Sequence, residues 1–201
     1  EIVATAEEEG RFGGMLGSQA IAGRIDRDWF NAASDPEGTT LREALRAQGL
    51  DPEEAFTCAR APEDVKAFLE LHIEQGPILE SKGIPIGIAQ AISGVSNISV
   101  VLFGKANHSG TTPMDMRADA FAGLAHFATR IPDIIERHGT DQSRITIGQV
   151  ELEPNFAHTI PGKAVFSVIT RDTDEAVQSH QLSVVKREIK EAAKAHDLAW
   201  D

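Results

Sequence analysis

Glu70, His72 and Glu74 alternate with Leu69, Leu71 and Ile73 over residues 69–74, a period of two that places the carboxylates and the imidazole on one face of a strand and the aliphatic side chains on the other. Imidazole is the commonest side-chain metal ligand, and a ligating His needs a carboxylate or carbonyl to fix its tautomer. Gly76-Pro77 then ends the strand. A half-exposed strand with one incidental His would show the same alternation, so the pattern alone leaves both readings open. Upstream, residues 1–6 (EIVATA) read as a short strand that delivers Glu7-Glu8-Glu9-Gly10 at its end. Adjacent carboxylates repel one another. Either a surface turn carries them, or a cation collects them at the C-terminal edge of a sheet, where α/β ligand sites tend to sit. In the second case one Glu binds the ion and a neighbour left off it takes a proton from a bound water.

Further candidates lie downstream. His108 occupies a polar loop, Ala106-Asn107-His108-Ser109-Gly110-Thr111-Thr112-Pro113, between a strand and a helix. Arg171 ends a mostly apolar strand, and its planar fork suits a carboxylate. Asn97 lies in a small polar segment, Gly94-Val95-Ser96-Asn97, as a substrate contact or a hinge. Arg117 and Asp119 read as an ion pair near a helix start.

The elements that must position these residues follow from periodicity and punctuation. Residues 17–25 and 40–48 read as short helices, the second stopped by Gly49, and 52–60 has weak helical character. Residues 84–92 (IPIGIAQAI) read as a buried strand. A strand is expected over 98–103, a long helix over 116–138 with Phe121, Leu124, Phe127, Ile131 and Ile134 on one stripe, and strands over 144–153 and 163–170. Asp172-Thr173-Asp174 opens a last helix with Leu182, Val185, Ile189 and Ala192 inward. This β-α-β-β-α order makes a two-layer unit of antiparallel sheet and two helices.

Composition narrows the class. The 201 residues are 41% hydrophobic with a net charge of -12, enough for one large or two small domains and a poor match to nucleic acid or an anionic membrane. Cys58 is the single cysteine, so no internal disulfide forms, which suits a reducing cytoplasm. No apolar run approaches the roughly 18 residues of a membrane helix.

Four segments, AEEEGRFGGMLGSQAIAG, FLELHIEQGPILE, GKANHSGTTPMDMRADAF and EPNFAHTIPGKAVFSVITR, together resemble the hydantoinase/carbamoylase branch of the metal-dependent aminoacylase and carboxypeptidase-like amidohydrolases. The resemblance runs essentially end to end and in order. It implies an α/β fold: part of a zinc-peptidase-like catalytic domain over residues 1–93, and an inserted α+β lid or dimerisation domain over 94–201. It implies two divalent ions, zinc or manganese, in the complete enzyme, with His72 and Glu9 as ligands and Glu8 as general base. The family pattern Glu-Glu-Gly-x-Arg-Phe is one residue longer than the run before Arg11-Phe12, so Glu7 as base with Glu8 as ligand stays open. His108 would reach the partner subunit's site and polarise the scissile carbonyl. Arg171 would grip a substrate carboxylate with His158, which stands where the family commonly has Asn, thirteen residues before the Arg. The implied reaction is hydrolysis of a linear carbamoyl or ureido amide beside a carboxylate, by a homodimer. An aminoacylase or dipeptidase, or a dimerisation and substrate-recognition module without its own activity, are the alternatives. The family's His-x-Asp segment and a later His ligand are absent, so the chain is expected to be an internal piece, inactive alone.

Overall fold

Local caps, rather than long amphipathic periods, shape the first part of the chain. The computed structural model describes residues 2–201; contacts divide them into a unit ending at Pro77 and a unit over Ile78–Asp201. The first unit carries helices α1 (Leu16–Ile21), α2 (Arg27–Ala32) and α3 (Leu41–Ala47). Asp26 caps α2 by accepting from the Trp29 N–H. Thr40 and Glu43 form a reciprocal capping box on α3, and Gly49, at φ +75°, turns the chain out of it without a Cβ penalty. These helices bury Phe12, Leu16, Phe30, Ala33 and Leu41. The expected helices at 17–25 and 40–48 are therefore present with shifted ends, while 52–60 shrinks to a 3₁₀ turn at Glu54–Phe56. Six-residue α2 is too short to show a period and is not among the expected helices.

Residues 2–6, 69–74 and 84–92 are not strands. Residue 1 of the first of these expectations lies outside the described residues. Their apolar side chains face solvent, with Leu71 100% and Ile88 89% exposed. The reason is physical: alternation selects which face would be buried, but a strand also needs a hydrogen-bonding neighbour. None of the three segments pairs with a strand among the described residues.

The second unit begins with α4 (Ile78–Ser81) and is built on β1 (Gly94–Phe103), β2 (Asn107–His108), α5 (Ala120–His138), β3 (Arg144–Glu153), β4 (Thr159–Ile160), β5 (Lys163–Asp172), α6 (Glu175–Ala195) and β6 (Ala199–Trp200). The four-stranded antiparallel sheet runs β3-β5-β1-β6, and β2 pairs with β4 in a separate ribbon. Along β5, Ala164, Phe166, Val168, Thr170 and Asp172 are buried beneath the helices while the intervening residues face outward. Val100, Leu102, Phe166 and Val168 meet Leu124, Phe127 and Ile134 of α5 and Val184, Val185 and Ile189 of α6 in one core.

Three expectations need adjustment here. Asn97 belongs to β1 rather than to a crossing segment. Helix α5 begins at Ala120, later than residue 116, because Asp119 caps it by accepting from the Phe121 and Ala122 N–H groups. Phe121, placed on the inward stripe, is 49% exposed. Pro132 is accommodated inside α5.

A polar cluster closes one end of this core. Asp172, 1% exposed, accepts from the Ser143 hydroxyl, from Thr140 Oγ1 at 2.8 Å and from the Asp174 N–H at 2.8 Å. The Ser143 hydrogen bond, followed by the Asp174 amide, holds this carboxyl below the ordinary 3.8 against the opposing effect of burial. A carboxyl depressed in the folded state stabilises the fold fully above its unfolded value, and that contribution drains away as pH falls through the folded value. Asp172→Asn is therefore expected to lower stability near neutral pH by about 1–3 kcal/mol. Thermal melts from pH 7 down to pH 3 should also show less acid sensitivity in the variant than in the parent. A parallel fall in both would remove Asp172 from the acid response.

Candidate active site

His108 is held by short-range contacts that leave its Nε2 without a hydrogen-bond partner among the described residues. It pairs with Thr159 across the β2–β4 ribbon, and the Ser109 N–H donates to the His158 carbonyl at 3.0 Å. The ribbon therefore brings two sequence candidates, His108 and His158, side by side, and both are exposed. The Gly110 N–H donates to His108 Nδ1 at 3.1 Å. That bond needs Nδ1 as an acceptor, so the neutral ring carries its proton on Nε2 and presents an N–H outward. Thr112 Oγ1 donates to the His108 carbonyl at 2.8 Å.

Arg117 has a role the sequence reading missed. It makes no ion pair with Asp119, which caps α5 instead. Its guanidinium donates to the carbonyls of Ser109 at 2.7 Å and Thr112 at 3.0 Å, strapping the turn that carries His108. An Arg a few residues beyond a polar His loop was the only available signal, and it fitted a cap partner equally well.

Arg171 and Asn97 form a second group. Arg171 lies opposite Val95, and Asn97 opposite Ile169, so the two candidates are diagonal neighbours on the open face of the sheet. This face looks away from the helices and both residues are exposed. The ribbon leaves the sheet at the other end, beyond the Phe103–Lys163 pair. Arg171 lies eight residues along β5 from Lys163, a run of roughly 26 Å. Within one chain, then, His108 and His158 sit together, Arg171 and Asn97 sit together, and the two groups stand at opposite ends of the sheet.

In the first unit the three glutamates are distinct. Glu8 accepts from the Ser18 N–H at 3.0 Å and the Ser18 hydroxyl at 2.9 Å, which ties its carboxylate to α1. Glu7 has φ +58° and accepts from the Phe12 N–H at 2.7 Å. Glu9 is exposed and, among the described residues, makes no hydrogen bond or ion pair. His72 lies in the exposed extended segment, its Nδ1 against the Ile73 carbonyl. Among the described residues no three His, Cys, Asp or Glu side chains converge on a point that would hold an ion. A catalytic zinc takes three protein ligands. Among the described residues, then, the candidates His72, Glu7, Glu8 and Glu9 do not by themselves make the three-ligand set of a catalytic zinc.

A sheet of this order, two helices on one face and a His-bearing ribbon at one end define the class. Residues 90–201 match the peptidase dimerisation domain, and the chain belongs to that family. Its relatives lie in the hydantoinase/carbamoylase branch. The chain is 36% identical to the N-carbamoyl-L-amino acid amidohydrolase of Geobacillus stearothermophilus, over 98% of this chain and 48% of that protein. It is 37% identical to the allantoate amidohydrolase of Escherichia coli (strain K12), over 100% of this chain and 49% of that one. A crystal structure of a hydantoinase/carbamoylase family amidase from Burkholderia phymatum superposes with a TM-score of 0.84 at 31% identity, over 97% of this chain and 48% of that chain. The chain thus spans about half the length of the curated relatives it matches.

Among the described residues no helix is long and apolar enough to cross a membrane.

Proposed function

We propose that this chain is part of a homodimeric amidohydrolase that cleaves a linear carbamoyl or ureido amide carrying a carboxylate nearby. The observation that carries the reading is the alignment of almost the whole chain with N-carbamoyl-amino acid and allantoate amidohydrolases. In this reading residues 1–93 belong to the catalytic domain and 94–201 form the lid and dimerisation domain. Glu8 takes the proton of the attacking water and passes it to the leaving nitrogen. The free Nε2–H of His108 donates to the oxyanion that develops on the scissile carbonyl, a contribution of about 3–4 kcal/mol to the barrier. Arg171, with Asn97 beside it, holds the substrate carboxylate.

The separation of the two groups along the sheet supports the dimer. His108 and Arg171 meet one small substrate only if they come from different copies. His158 then travels with His108, so a carboxylate shared by His158 and Arg171 would also draw on both subunits. His72 and Glu9 are the proposed metal ligands. The two zinc or manganese ions of this reading need further ligands from outside the 201 residues. The enzyme is proposed to work in the cytoplasm on small molecules, without nucleic acid or membrane partners.

The test is turnover by the longer protein, with added zinc or manganese, of N-carbamoyl amino acids, allantoate, N-acetyl amino acids and dipeptides. Hydrolysis of a carbamoyl amino acid or allantoate is expected, and none by the 201 residues alone. Preference for N-acetyl amino acids or dipeptides would overturn the substrate class. Metal-dependent hydrolysis by the 201 residues alone would overturn the need for outside ligands.

A further inference from the structure

Four of the chain's seven histidines meet in pairs on the helix layer of the second unit. Towards one end of the helices, His126 Nδ1 of α5 lies 3.3 Å from Nε2 of His196, the residue that caps the C-terminus of α6. Towards the other, His138 Nδ1 of α5 lies 3.2 Å from His180 Nε2 of α6. The rings are inclined at 80° in the first pair and 61° in the second, with centroids 5.4 and 5.2 Å apart. Each pair joins an exposed imidazole (His126, His180) to a half-buried one (His196, His138), so an ion has open access from solvent.

The spacing is informative. Two imidazole nitrogens bound to one ion at about 2.0–2.1 Å, with a near-tetrahedral angle between them, stand about 3.2–3.4 Å apart. Both pairs already hold their nitrogens at that separation. Metal-free, one ring donates its N–H to the lone pair of the other; an ion would displace that proton and take a lone pair from each ring. The same arrangement occurs at two positions along one helix pair, drawn from four separate points in the sequence. None of the four takes part in the proposed hydrolytic site, and the inference does not rest on that reading.

We infer that His126 with His196, and His138 with His180, form two bis-imidazole sites for a late first-row divalent ion of the zinc, nickel or copper type. Neutral imidazole suits these ions better than magnesium or calcium. Water completes the coordination, and each bound ion clamps α5 to α6.

Titration of the full chain with nickel(II), and separately with zinc(II), in competition with a chromophoric chelator tests this. His138→Asn and His180→Asn should each remove one and the same site, and His126→Asn and His196→Asn the other. Each loss is expected to weaken that site at least about tenfold. Asn retains amide hydrogen bonding on the surface, so the variants should keep their metal-free circular dichroism and melting temperature. The ion should raise the melting temperature of the parent chain, and a chelator should reverse the rise. The fourfold Asn variant should show no rise from these sites. His72, His108 and His158 are unchanged throughout, so the difference between parent and variant reads the four paired histidines alone. Equal stoichiometry in the parent and the fourfold variant would overturn the inference, leaving two ordinary hydrogen bonds between helices.

Discussion

Replacing Glu8 by Gln in the longer enzyme is expected to lower turnover by about 10²–10⁴-fold, the range that a positioned acid–base group contributes, while bound metal is retained. The Ser18 N–H and hydroxyl now donate to different oxygens of the Glu8 carboxylate, at 3.0 and 2.9 Å. Gln keeps a carbonyl oxygen for the N–H, and its amide can donate to the Ser18 hydroxyl oxygen, so the local geometry should survive. It cannot accept the proton of an attacking water. Glu9, exposed and without a hydrogen-bond or ion-pair partner among the described residues, remains available as the ligand. Steady-state kinetics with metal analysis of the same preparation reads both consequences. If Glu8→Gln loses metal while Glu7→Gln keeps metal and loses turnover, the assignment moves back by one residue. Glu7, whose carboxylate meets the Phe12 N–H at 2.7 Å, would then be the base.

Mixing His108→Ala subunits with Glu8→Gln subunits should restore activity that neither variant has alone. With the oxyanion donor supplied across a two-fold dimer, one site of the mixed dimer collects both defects and the other has neither. Random exchange gives about half mixed dimers, so recovery should approach a quarter of the parent rate. The distances within one chain motivate this, since the ribbon bearing His108 leaves the sheet beyond Lys163, at the opposite end from Arg171. Subunit exchange demonstrated by mass-tagged copies, with no recovery of rate, would return His108 to its own chain or remove it from the reaction.

Much of the second unit is legible in the sequence. Strands β1, β3 and β5 and helices α5 and α6 follow from local periods, and Asp119 and Asp174 cap the two helices. These are short-range properties, carried by residues a few positions apart. The same reasoning failed at residues 69–74 and 84–92, where the alternation is present but no strand forms. Pairing is a long-range condition, and a pattern of two cannot say whether a neighbour exists.

The candidate site divides in the same way. Residue type and motif singled out Glu8, Glu9, His72, His108, His158, Arg171 and Asn97. Only the tertiary structure decided that His108 and His158 are neighbours in the ribbon, that Gly110 leaves the proton of His108 on Nε2, and that Arg117 straps the turn rather than pairing with Asp119. It also set Arg171 and Asn97 on one open face, away from the ribbon, and brought four scattered histidines into two pairs. Side-chain chemistry is local and can be read from letters. Which groups share a few ångströms depends on register and helix packing, and these are set by the whole core at once.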